Sequence, residues 1–217
     1  MAAKRSRVSD RIAKFISDIE KKAEKHGVKI ILEDAELVYA KGEKEGCAGY
    51  FDSENKILAA STKGKKSQFL GLLAHESSHL DQWIENRYMW DKLSHGYALF
   101  FEWLGGKIVK REYLEEAVQD IIRLEKDCEL RTIKKIQHYQ LPINLIEYKK
   151  KVNSYLYAYL FFLEKRKWIP KLYSSKKVWG KAPHRIPREY KKIPRNLYKV
   201  FNSVCYGNYL PNGRRSL

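Results

Sequence analysis

Gln68-Phe69-Leu70-Gly71-Leu72-Leu73-Ala74-His75-Glu76-Ser77-Ser78-His79-Leu80-Asp81-Gln82-Trp83 decides how the rest of this chain is read. Phe69, Leu72, Leu73, Glu76, Leu80 and Trp83 recur at three- and four-residue steps, the period of an α-helix. On such a helix His75 and His79 lie one above the other, at the separation needed to share a tetrahedral Zn²⁺. Glu76, one residue on from His75, is placed to take a proton from water rather than to bind the metal. The H-E-x-x-H pattern therefore predicts His75 and His79 as ligands and Glu76 as general base.

Outward from this stretch the pattern is α+β and mainly α. Upstream, Ser9 caps a helix reaching residue 26, with Ile12, Phe15, Ile16, Ile19 and Ala23 as its buried stripe and Gly27 as its stop. Strands are expected at residues 28–32, 37–40, 48–51 and 56–60, the last two joined by the polar turn Asp52-Ser53-Glu54-Asn55. Downstream come an aromatic segment with Trp83, Tyr88 and Trp90, a turn at Ser94-His95-Gly96, and helices over residues 97–104, 112–139 and 144–167.

The helix at 112–139 carries two carboxylates on a face that is otherwise apolar. Val118, Ile121, Glu125, Cys128 and Thr132 share one stripe, and Ile122, Glu129, Ile133 and Ile136 the next. A buried carboxylate without a partner is costly, so Glu125 and Glu129 need a reason. A catalytic zinc takes three protein ligands and keeps one open position. Glu125, Glu129, His95 and Cys47 are the candidates for the third.

A small sheet feeding an H-E-x-x-H helix resembles the zincin fold of zinc-dependent metallopeptidases over roughly residues 28–140. Glu125-Lys126-Asp127-Cys128-Glu129 is similar to the downstream E-x-x-x-[D/E] of the gluzincins. That resemblance implies Glu125 as third ligand, Glu129 orienting a ligand histidine, and residues 56–60 as the edge strand beside the cleft. It also implies hydrolysis of protein or peptide substrate, with an oxyanion donor for which His95, Tyr88 and Tyr113 are candidates. Two other resemblances point elsewhere. His95-Gly96 with Phe100 is similar to the SprT/Spartan group of DNA-associated proteases, which would make His95 the ligand, although the zinc-ribbon cysteines of that group are absent. Glu45-Gly46-Cys47 is similar to the E-G-C of peptide deformylase, without its other motifs. The metzincin extension is missing, since Gln82 and Glu85 stand at the required glycine and histidine. The string from Leu124 to Arg131, with Leu141-Pro142-Ile143 and a Tyr-rich helix, resembles uncharacterised phage-encoded H-E-x-x-H proteins. It implies an infected bacterial cytoplasm or a virion as the setting.

The 217 residues carry a net charge of +17, distributed unevenly. Residues 165–217 hold 15 Lys+Arg against one acid, Glu189, while the first 164 hold 28 basic and 25 acidic residues. The division expected from this is a metallopeptidase domain over 1–167 and a basic arm over 168–217. Prolines 170, 183, 187, 194 and 211 predict an extended wrap without long helices. Its Trp168, Tyr173, Trp179, Tyr190 and Tyr198 either pack on the domain or stack nucleic-acid bases between phosphate-binding cations. Three scattered cysteines and no apolar leader predict a cytoplasmic, disulfide-free protein. The longest apolar run, residues 155–163, is too short for a bilayer. The rival to an enzyme is a catalytically silent zincin-fold virion or nucleic-acid-binding protein.

Overall fold

Ile12, Phe15, Ile19 and Ala23 repeat at helical spacing and are all buried, which fixes the inner face of α1, Ala2–Lys25. Gly27, at φ +67°, ends that helix in the left-handed region open to glycine, and the chain enters β1, Lys29–Glu33. The computed structural model describes residues 2–42, 44–170 and 172–207, with side-chain surroundings from residue 8 onward. The last ten residues, with the end of the expected arm, lie outside them. The protein is α+β and mainly helical.

β2, Gly49–Asp52, and β3, Ile57–Ser61, form the expected hairpin. Asp52 closes its turn by accepting from the Glu54 and Asn55 amides at 3.0 and 2.9 Å. The sheet order is β1-β3-β2, with β1 parallel and β2 antiparallel to β3. Residues 37–40 contribute only an isolated bridge, Val38 to Cys47, rather than a strand.

One expectation is overturned by this order. The zincin resemblance puts residues 56–60 at the edge beside the cleft, yet β3 is the central strand and its Leu58, Ala59 and Ala60 are buried. A run of small and apolar residues without alternation marks a strand covered on both faces, and the edges fall to β1 and β2.

The motif helix α2, Lys66–Glu85, runs slightly longer than its apolar repeat. α3, Arg87–Leu104, corrects the expected loop and short helix at 88–104. Asn86 accepts from the Met89 amide at 3.0 Å and starts the helix early, so Tyr88, Trp90 and His95 are helical. Gly96 is not a turn glycine. A Cβ there would stand 2.6 Å from the Ala117 carbonyl oxygen, and it is this close approach to α4, Arg111–His138, that excludes a side chain.

α5, Leu145–Lys165, is capped by Asn144, which accepts from the Ile146 and Glu147 amides. After it come α6, Lys176–Trp179, and α7, Arg195–Gly207. The thirteen residues of α7 correct the expectation of a wrap without long helices. The described prolines all precede it, and the Pro194 carbonyl accepts from the Tyr198 amide in its first turn, where a missing N–H costs nothing.

The chain forms two compact units, residues 1–91 with 127–143 and residues 92–126 with 144–217. The first holds the sheet, α1, α2 and the end of α4. The second has a core of Phe100, Val118, Ile121, Leu156, Phe161, Phe162, Leu172, Val178, Tyr190, Leu197 and Phe201. Its last five members belong to the basic segment, so that segment is built into a core. Among the described residues no helix is long and apolar enough to cross a membrane.

Candidate metal centre

α2 is buried on nearly every side from Leu70 to Trp83, an arrangement that forces its polar residues to find partners. Ser78 donates to the Ala74 carbonyl at 2.7 Å and accepts from the Thr132 hydroxyl at 3.1 Å. Ser77 accepts from Lys135 at 2.8 Å, and Lys135 also pairs with Asp81 at 2.8 Å, which Lys22 joins at 2.5 Å. Burial pushes the Asp81 carboxyl up, but the two lysines outweigh it and hold it below the usual carboxylate range. These short side chains and paired charges seat the C-terminal half of α4 against the motif helix.

The two motif histidines converge. Their Nε2 atoms lie 3.2 Å apart, and their rings meet edge-on with centroids 4.7 Å apart. Their Nδ1 atoms point away, each to its own acceptor. Gln82 donates through Nε2 to Asp127 at 2.9 Å, which turns its Oε1 to His79 Nδ1, also at 2.9 Å. A carbonyl oxygen only accepts, so His79 carries its hydrogen on Nδ1. His75 Nδ1 faces the Glu129 carboxylate at 3.2 Å, and the same reasoning applies. The two Nε2 atoms then face each other at hydrogen-bonding distance, and with both deprotonated their lone pairs would turn to one point, where a cation could replace the shared proton.

The surroundings favour positive charge. Burial is the largest influence on His75 and lowers its proton affinity, but Cys128 and the Glu129 carboxylate outweigh it and hold the imidazole well above its ordinary value. The ligand-capable atoms of His75, His79 and Cys128 lie within 4.8 Å of one another. The Cys128 thiol donates to the His75 carbonyl at 3.3 Å and stands 3.6 Å from Nδ1, on the same flank as Glu129. Imidazole with thiolate or carboxylate suits a borderline ion such as zinc better than an oxygen-seeking one such as calcium. The donor set fits zinc.

Glu76 is 5% exposed and lies against the sheet. A Cβ on Gly49 would stand 3.2 Å from Glu76 Cγ, so β2 passes close to the expected base and only glycine leaves room. Trp90 packs edge-on against His79 at 5.5 Å and donates through its indole to Ser53 at 3.1 Å. Phe51 of β2 packs on Trp83 and Trp90, at 5.8 and 5.5 Å. A polar metal-type pair is thereby walled by aromatic rings.

The remaining expected site residues fall as follows. Glu125 is 3% exposed, on α4 in the second unit, and accepts from the Tyr97 hydroxyl. Burial first, and the Glu125 charge second, raise Tyr97 and Tyr155 well above the ordinary phenol value. Tyr113 is 53% exposed, with the Lys110 ammonium 5.8 Å from its ring centre, and His95 is exposed on α3. Tyr88 is 74% exposed in the first unit. Cys47 is exposed as a residue but its thiol is partly desolvated as it donates to the Gly49 carbonyl at 3.2 Å, and that desolvation, then the charge of Glu76, push the thiol up.

Sequence reading missed Gln82, Trp90 and the flanking position of Cys128. Gln82 carried a usable signal, standing three residues beyond His79 on the same helix. No protein-family model, curated protein or solved structure matches the chain.

Proposed function

We propose that this chain is a zinc-dependent metallopeptidase of zincin type. The observation that carries the reading is the pair of motif imidazoles with converging Nε2 atoms, each fixed by a separate acceptor at Nδ1. His75 and His79 would hold the metal, and Glu129 and Gln82 keep their rings in the ligating tautomer. The third ligand implied by the E-x-x-x-E resemblance is Glu125. A bound zinc would supply Lewis-acid activation of water and of the scissile carbonyl. Glu76 accepts the proton as the water oxygen bonds to the carbonyl carbon, then delivers it to the amine nitrogen as the C–N bond breaks. β2, the edge strand beside Glu76, offers its backbone to extended substrate.

A second reading of the ligand set is favoured by one observation, the nearness of Cys128 Sγ to the imidazole nitrogens. In it a thiolate replaces the Glu125 carboxylate. Zinc content of wild type, Glu125→Ala and Cys128→Ala separates the two, and cobalt substitution adds a check. A thiolate ligand gives a near-ultraviolet charge-transfer band that is absent without sulfur.

Activity is tested with Glu76→Gln on an unstructured protein substrate. The expected outcome is one zinc per chain and hydrolysis reduced about 10²–10⁴-fold, the usual worth of positioned proton transfer. Undiminished turnover would sink the assignment of Glu76. A wild type that binds no zinc would sink the whole reading.

A further inference from the structure

The basic segment combines two properties that rarely go together, high positive charge and a fixed backbone. Apart from Tyr206, which is exposed near the end of α7, its described aromatic side chains are already in use. Trp168 packs on Phe162 and Phe101, with centroids at 4.6 and 5.5 Å. Tyr173 packs on Tyr155 at 5.0 Å and Tyr198 on Phe161 at 5.8 Å. Tyr190 is 1% exposed, lies 4.8 Å from Tyr157, and donates its hydroxyl to Asn153. The Trp179 face is covered by the Lys151 ammonium at 5.2 Å.

The backbone between these anchors is held from inside. Asn153, fully buried, donates to the Pro183 and Arg185 carbonyls at 2.7 and 2.9 Å. Lys126 donates to the Arg188 carbonyl at 2.6 Å and Gln119 to the Tyr190 carbonyl at 3.3 Å. These four carbonyls of residues 183–190 thus face inward, while Lys176, Lys177, Lys181, Arg185, Arg188 and Lys192 stand on the outer side. The single acid of the segment, Glu189, is paired with Lys191 at 2.6 Å. Among the described residues 165–207 the only large exposed apolar side chain is Tyr206, and the apolar face of α7 is buried in the core. Nothing among them can insert into lipid as an amphipathic helix does.

We propose that residues 176–192 form a preordered cationic surface that binds the sugar-phosphate backbone of duplex nucleic acid without base stacking. With the Trp179 and Tyr190 rings of this stretch already covered, recognition is by Lys and Arg against phosphate alone, independent of sequence and steeply dependent on salt. Single strands, whose tight binding relies on stacking platforms, gain nothing extra here. This inference does not depend on the peptidase reading and stands or falls separately from it.

The test uses the full chain and a short mixed-sequence DNA duplex. With about five phosphates neutralised, affinity should fall about 500-fold between roughly 50 and 200 mM salt. Changing Lys176, Lys177, Lys181 and Arg185 together to Glu should flatten the plot of log affinity against log salt by about 0.9 for each phosphate no longer neutralised. The same charge change at Lys21, Lys25, Lys29 and Lys41 of the first unit should leave that slope unaltered. Thermal melting checks that the variants fold, and Gln at the same four positions replaces Glu if reversal perturbs folding. Equal loss in both variants would overturn the assignment of the surface. So would oligo-dT bound tighter than duplex, or anionic phosphatidylserine vesicles retained where duplex is not.

Discussion

Glu125 and Glu129 stand one turn apart on α4, are both buried, and are partnered in opposite ways. Glu129 faces an imidazole, and together with Cys128 it holds His75 in a state that favours positive charge. Glu125 accepts from a phenol, and its charge, added to burial, makes the neighbouring tyrosines keep their protons. The same side chain on the same helix is therefore a cation-promoting group in one compact unit and an acceptor for a phenol in the other. Helical period alone locates buried carboxylates, and the partner decides their chemistry.

The largest effect that could break this contrast is on metal affinity. Glu129→Ala removes the acceptor at His75 Nδ1 and should weaken zinc binding about 10–100-fold, the usual worth of an orienting partner. Glu125→Ala should cost more in the ligand set that the E-x-x-x-E resemblance implies, because there it removes a ligand outright. Chelator competition measures both. Equal losses would merge the two roles, and zinc retained in Glu125→Ala would leave Glu125 with its tyrosines only.

Next in size are two stability effects in the second unit. Asn153→Ala removes the acceptor of the Tyr190 hydroxyl and the donor to two backbone carbonyls, and should cost about 3 kcal/mol at roughly 1 kcal/mol for each hydrogen bond. Tyr97→Phe withdraws the donor to Glu125 and should cost about 1–3 kcal/mol. Urea midpoints compare each with wild type. If Tyr97→Phe were neutral, Glu125 would have to be satisfied without it, and the contrast with Glu129 would lose its physical basis.

Much of this was legible in the chain. Four-residue spacing placed His75 above His79, and the stripe pattern of α4 turned Glu125 and Glu129 inward. What could not be read was whatever depends on a non-local partner. The strand at 57–61 shows the apolar run of a covered strand, but only pairing with β1 puts it in the centre. Gly96 looks like a turn until the Ala117 carbonyl is placed against it. The basic segment looks extended because proline and charge are local signals, whereas the burial of Leu197 and Phe201 that makes α7 a core helix is not. Cys128 is visible in the sequence only as a small residue. Its approach to His75 depends on how closely α4 lies along α2, with Thr132 bridging Ser78 and the Cys128 carbonyl.

The smallest expected effect is a titration at the far end of α4, in the unit that carries the histidine pair. Tyr139 donates to Asp18 at 2.8 Å, and burial, then this bond, push its phenol up to about 12 from the ordinary 10. The folded state therefore keeps a proton that the unfolded chain releases first. The resulting stabilisation is complete below about pH 10, declines as pH rises towards 12, and is gone above it. Tyr139→Phe removes the group from both states, so its stability should fall less steeply than wild type between about pH 10 and 12. A wild-type minus Tyr139→Phe difference spectrum should show a tyrosinate transition near the upper end of that range. A transition near 10 would mean that Asp18 and the packing on Phe15 do not hold Tyr139. The junction of α1 with α4 would then be looser than the motif helix it flanks.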